Sequence, residues 1–114
     1  MLKLKPLLPS LKEKKHYLVF EVISEKKLNF NDIKDAINNG ILIFLGQLDT
    51  AKAGVQFLPE EKNNCGMIRA NPKYINKIKA ALTLIEKIKN NKVIVKSKGV
   101  SGTINKAKRK FLEV

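Results

Sequence analysis

The residues best placed to do chemistry lie near the C-terminus, in K-G-V-S-G-T-I-N-K-A-K-R-K-F, residues 98 to 111. The chemistry they offer is the neutralisation of an anion. Lys98 precedes two glycines and two hydroxyls, and Lys106, Lys108, Arg109 and Lys110 follow with no acid before Glu113. At about 100° per residue, a helix from 103 to 112 places Ile104, Ala107 and Phe111 in one arc, with Leu112 at its edge. Lys106, Arg109 and Lys110 then fall on the opposite arc. Lys108 projects near the apolar side, where it can snorkel or meet a partner. Ser101 or Thr103 can cap this helix, and the free N–H groups of its first turn could receive a phosphate. An ordinary turn followed by a solvated basic face fits the same pattern, and spacing alone does not choose between the two.

Other reactive side chains are few. His16 is the single histidine, and as the first residue of a strand it reads as structural or phosphate-facing. Asp32 and Asp35 share a helix face at i, i+3; they could hold a divalent cation, or they compensate the helix dipole in its first turn. Glu60 and Glu61 fall in a polar loop and read as solvated. G-V-S-G-T lacks the lysine that a phosphate-binding loop of the ATPase kind requires. Cys65 is the only cysteine, so it forms neither an internal disulfide nor a thiolate cluster, and it reads as a small buried hydrophobe. No catalytic residue, protein-bound metal or protein-bound cofactor is expected.

The composition agrees. Lysine and arginine number 23 against 10 acids, a formal charge of +13 on 114 residues. Lysine enrichment also accompanies an AT-rich genome or growth at high temperature, but such causes raise glutamate too. An excess this large implies a polyanionic partner, nucleic acid ahead of membrane. The longest apolar run, I-L-I-F-L at 41 to 45, is far too short to span a bilayer. The basic N-terminus lacks the apolar stretch of a signal peptide. A cytoplasmic protein without membrane association is expected.

The elements that must hold the basic segment can be read along the chain. Residues 1–15 form a basic arm, with Pro6 and Pro9 against early helix and capping-box spacing at Ser10–Glu13. Residues 16–114 form one domain. H-Y-L-V-F-E-V-I-S, 16 to 24, is a strand apolar on both faces and therefore central. Asn29 caps a helix carrying Ile33, Ile37, Ile41 and Phe44, with Gly46 placed to end it. The end of that helix is apolar all round, so Leu42, Ile43 and Leu45 are candidates for a protein contact, or for a terminus buried within the monomer. Residues 50–58 and 64–70 are expected as a hairpin about P-E-E-K-N-N. Asn71-Pro72 starts a second helix with the stripe Ile75, Ile78, Leu82 and Ile85, stopped at Asn90-Asn91. K-V-I-V-K-S-K is a last strand, and residues 99–102 turn the chain into the basic helix. The order β-α-β-β-α-β plus a terminal helix predicts an α/β sandwich of the ferredoxin-like split βαβ kind. The RNA-recognition motif shares that order, but its third strand carries stacking aromatics, and N-N-C-G-M-I-R-A has none.

G-V-S-G-T-I-N-K-A-K-R-K-F-L resembles the C-terminal signature of the small ribonuclease P protein family, component 2, of archaea and, as a relative, of eukaryotes. L-P-S-L-K-E-K-K-H-Y-L-V-F-E-V-I-S is similar to the family's opening strand and its basic lead-in, which brings in Lys14 and Lys15. His16 stands where the pattern leads one to expect arginine. The likeness covers nearly the whole chain. It implies a subunit of the ribonucleoprotein that removes the 5′ leader from precursor tRNA, with the catalytic Mg²⁺ ions on the RNA subunit. It also implies a barrel-like partner, ribonuclease P protein component 3, alongside further ribonuclease P proteins, and it allows a homodimer within a heterotetramer. RNA contacts are then expected from Lys98, Ser101, Thr103, Lys106, Lys108, Arg109 and Lys110, with Lys14 and Lys15. A DNA-binding architectural protein and a stand-alone metal nuclease using Asp32 and Asp35 are the alternatives.

Overall fold

A computed structural model describes residues 15–62 and 64–112. The capping-box stretch and Lys14 lie outside the described residues. Strand β1 (His16–Ser24) has the predicted bounds. Alternation sends Leu18, Phe20 and Val22 to one face and Val19 to the other, and all four are buried. β1 is central. It pairs antiparallel with β3 (Cys65–Ala70) on one side and with β5 (Asn91–Ser101) on the other. β2 (Gln56–Lys62) lies outside β3, and the two-residue β4 (Lys87–Ile88) lies outside β5. Among the described residues the sheet is thus five-stranded and antiparallel, in the order β2-β3-β1-β5-β4.

Helix α1 (Phe30–Ala53) starts as expected: the Asn29 side-chain oxygen accepts the Asn31 N–H at 2.8 Å. It does not end at Gly46. That glycine, at φ 85° and ψ 169°, kinks the helix, and the chain then resumes helical winding to Ala53. Gln47, Leu48, Ala51 and Lys52 are good helix formers, and Ala53 is fully buried, so a second helical stretch is favoured over the strand expected from residue 50. Gly54, in the left-handed region at φ 59°, is the true terminator; its N–H donates to the Thr50 carbonyl. β2 accordingly begins at Gln56 and takes in most of the polar stretch read as a loop. Pro59 is accommodated because β2 is an edge strand whose register shifts between Phe57 and Glu61.

Asn71 caps the next segment by accepting the Lys73 N–H at 2.9 Å. A 3-10 turn (Pro72–Tyr74) leads into α2 (Ile75–Thr83), which buries Ile75, Ile78, Ala81 and Leu82. α2 stops well before Asn90-Asn91. Those residues belong instead to the β4–β5 hairpin, where Lys89 and Asn90 both have positive φ, the signs of a type I′ turn. β5 runs through Ser101, so Gly99 is a strand residue and not part of the turn.

Both helices pack on one face of the sheet. Leu18, Phe20, Val22, Ile68, Val93 and Val95 meet Ile33, Ile37, Ile41, Ile78 and Leu82 there. Phe20 stacks on Phe30 at 6.4 Å and meets Phe57 edge-on at 6.2 Å. The opposite face carries a smaller cluster of Val19, Cys65, Met67 and Ala107, with Tyr17, Leu58, Ile104 and Phe111 against it. The C-terminal segment is therefore a third layer on a two-layer α+β domain. No helix among the described residues is long and apolar enough to cross a membrane.

Candidate nucleic-acid interface

The basic segment is held by β5 and by its own cap. Tyr17 opposite Ser101 ties the end of β5 to the start of β1. Ser101 is buried, and its hydroxyl accepts the Thr103 N–H at 3.3 Å. Thr103 is the N-cap: its Oγ1 accepts the Lys106 N–H at 3.3 Å, and its carbonyl accepts the Ala107 N–H. Of the two hydroxyls, Thr103 therefore closes the helix and Ser101 braces the turn. The cap takes up the Lys106 N–H, one of the donors of the first turn. The continuous helix expected from 103 to 112 is a single α-turn, α3 (Ile104–Ala107), followed by a π-helical stretch (Lys108–Leu112).

That wider winding carries Phe111 over the sheet. A Cβ built on Gly99 would clash with the Phe111 ring, so the ring occupies the space a side chain at 99 would need. Gly99 pairs with Val19, and Val19 with Met67. The ring thus sits over one row of the sheet, with Ala107 fully buried beside it. Burial on that side leaves Lys106, Arg109 and Lys110 exposed on the other, as the helical spacing predicts. Lys108 is half-buried. Lys98 is the extra residue where the β1–β5 register shifts; its amine donates to the Cys65 thiol at 3.8 Å. Burial pushes the Cys65 thiol above its ordinary pKa, and the Lys98 charge opposes that shift.

Lys15 is exposed at the end of the sheet that also carries Ser101, with its amine beside Gly54. Arg69 was not foreseen. It follows Met67 on the outer face, stands opposite Tyr17, and is held by Gln56, whose side-chain oxygen accepts both Nε, at 3.0 Å, and Nη2. The available signal was the alternation in G-M-I-R-A, which puts Arg69 on the face of Met67. The structure thus brings Arg69 and Lys15 to the end of the sheet from which the C-terminal segment departs at Ser101.

The other sites separate from this one. Asp32 faces Lys89 at 3.9 Å, and Asp49 faces Lys77 at 3.5 Å. Among the described residues, no group of three or more His, Cys, Asp or Glu side chains could hold a metal ion. On α1, Leu42 is 41% and Ile43 76% exposed, whereas Leu45 is half-buried against the main core. Phe44, Leu48 and, near α2, Leu84 extend the exposed apolar surface, and a groove of about 430 Å³ runs between Ile43, Phe44, Leu84 and Ile85.

Comparison with known proteins bears directly on this arrangement. The chain is 45% identical over 109 residues to ribonuclease P protein component 2 of Pyrococcus furiosus, spanning 95% of this chain and 91% of that one. It is 40% identical over 105 residues to the component 2 protein of Thermococcus kodakarensis, spanning 91% and 88%. With that of Archaeoglobus fulgidus it shares 35% identity over 111 residues, spanning 97% and 100%. A chain in the cryo-EM structure of yeast ribonuclease MRP matches in fold at a TM-score of 0.65 and 12% identity, over 81% of this chain and 76% of that chain. The model of the Rpp14/Pop5 family matches residues 16–112, from the first residue of β1 to the end of the π-helical stretch, and the chain belongs to that family.

Proposed function

We propose that this chain is a protein subunit of ribonuclease P, the endoribonuclease that removes the 5′ leader from precursor tRNA, and that it acts by binding and bracing the catalytic RNA. The observation that carries this reading is the near-full-length likeness to component 2 proteins. The geometry supports an electrostatic role. Lys106, Arg109 and Lys110 stand clear of the core on a segment anchored by Ala107 and Phe111. Their charge neutralises phosphates and releases condensed counterions, which lets RNA helices pack closely. Mg²⁺ belongs to the RNA in this account, and no side chain of this protein takes part in bond cleavage. The sheet order, with helices following β1 and β3, supports a ferredoxin-like arrangement extended by β4 and the C-terminal layer.

The exposed apolar surface of α1 suits docking of ribonuclease P protein component 3, with Leu42 and Ile43 at its centre. The assembly would include the other ribonuclease P proteins, and a homodimer within a heterotetramer is compatible with it. Reconstitution tests the reading. Ribonuclease P RNA and component 3 are combined with and without this chain, and precursor tRNA cleavage is followed across a magnesium titration. Adding the chain should lower the magnesium needed. Cleavage unchanged by its addition, or 5′ leader removal by the chain without RNA, would reject the assignment.

A further inference from the structure

The C-terminal segment reaches its place through a narrow join. Ser101 is buried at the end of β5, and Thr103 caps the helix. Between them Gly102 is exposed, an added Cβ there would meet nothing within 4 Å, and its φ is not positive. The docked conformation would thus accept alanine at 102. What glycine adds is freedom for the chain when the segment is undocked. Beyond it come a four-residue α-turn and five residues of π winding. A helix so short is not stable in water by itself, so the order of the segment depends on what its apolar side meets. That contact is small: Ala107 is fully buried, and Ile104 and Phe111 are half-buried, against Val19, Cys65 and Met67. On the other side Lys106, Arg109 and Lys110 are exposed and form no ion pair among the described residues. Like charges spaced three and four residues apart repel one another and weaken the helix that carries them.

We propose that residues 103–112 form a strap, hinged at Gly102, that RNA clamps against the sheet. The proposal rests on the RNA-binding reading above and adds a conformational step to it. The direction follows from the geometry. The Phe111 ring and the three cations lie on opposite sides of the segment, so phosphates can reach the cations without displacing the ring. The docked segment holds those cations in one fixed array, whereas an undocked chain must be ordered as it binds, at a cost in affinity. Phosphates also relieve the repulsion among the cations. RNA therefore binds the docked form more tightly, and by linkage it favours that form by the same factor. Opening of the strap uncovers Cys65, which is 3% exposed when the strap is docked, so the thiol reports the equilibrium.

The test is iodoacetamide alkylation of Cys65 in the full chain, with and without saturating ribonuclease P RNA, in wild type, Gly102→Ala and Phe111→Ala. RNA affinity and melting curves are recorded on the same proteins, and hydrogen exchange of the Ala107 amide follows opening without the thiol. RNA should slow wild-type alkylation about fivefold or more, the lower end of ordinary coupling between sites. The factor should match the one by which Phe111→Ala weakens RNA binding, and Ala107 exchange should slow in step. In Phe111→Ala, where no ring remains to clamp, RNA should slow alkylation little. Without RNA, Gly102→Ala should react about twofold to fivefold more slowly than wild type, because alanine removes freedom from the open form. Wild-type alkylation that RNA leaves unchanged or quickens overturns the clamp. So does equal slowing in wild type and Phe111→Ala, which would mean that RNA merely covers the thiol. A Gly102→Ala protein that opens as readily as wild type overturns the hinge. If wild type does not bind ribonuclease P RNA, the subunit reading itself fails and the clamp fails with it.

Discussion

The two faces of the sheet are sealed in different ways. On the helix side, Phe20, Leu18, Ile68, Ile33, Ile37, Ile78 and Leu82 interlock at 1% exposure or less, drawn from two helices and two central strands. On the outer side the buried set is Val19, Cys65, Met67 and Ala107, and the cover is one short terminal segment held by a half-buried ring. The first face can lose a contact only by disturbing several elements at once. The second can open locally while the rest of the domain stays folded. The side that holds the fold together and the side that presents the charge are thus energetically distinct, so substitutions on the two should separate stability from binding.

The largest effect is expected on the helix side. Phe20→Ala should cost about 3–5 kcal/mol, because it empties a fully buried site ringed by Phe30 and Phe57. Thermal melting measures it, and whatever fraction stays folded should bind RNA normally. Next comes the ring over Gly99. Phe111→Ala should cost about 2 kcal/mol, less than a fully buried phenylalanine, yet lower RNA affinity markedly by releasing the basic segment. Gly99→Ala should reproduce that loss by expelling the ring, and in the Phe111→Ala background it should cost almost nothing more. Additive effects in that double-mutant cycle would mean that the ring does not sit over Gly99.

Smaller effects probe the cap and the thiol. Thr103→Ala removes the acceptor for the Lys106 N–H and should cost about 1 kcal/mol. Burial raises the Cys65 pKa, so its thiolate fraction at pH 8 is below that of an ordinary thiol. Alkylation of the native protein should be slower than that of a free cysteine, should climb as pH rises, and should quicken in Phe111→Ala. Equal rates in wild type and Phe111→Ala would show that the outer layer does not gate Cys65.

The same division governs what could be read in advance. β1, Asn29, Asn71 and the arc of Ile104, Ala107 and Phe111 were legible, because each is set by local periodicity or a local cap. The reading failed where a glycine's role depends on distant atoms. Gly46 looks like a terminator, but the burial of Ala53 draws the chain back into helix. Gly99 looks like part of a turn, but its use is to admit a ring twelve residues on. β4 is two residues long and leaves no periodic trace. Within the site, the register shift that turns Lys98 toward Cys65 leaves no trace in the spacing of the sequence. Arg69 gains meaning only when β2 supplies Gln56.

On this view the exposed cations of the C-terminal segment bind RNA and leave the fold alone. Salt-titrated binding of ribonuclease P RNA by wild type and Arg109→Ala, with melting curves on the same samples, tests it most directly. Melting should stay within about 0.5 kcal/mol of wild type, binding should weaken, and the slope of log affinity against log salt should fall by about one unit. An Arg109→Ala protein that melts early and keeps the wild-type salt slope would contradict it.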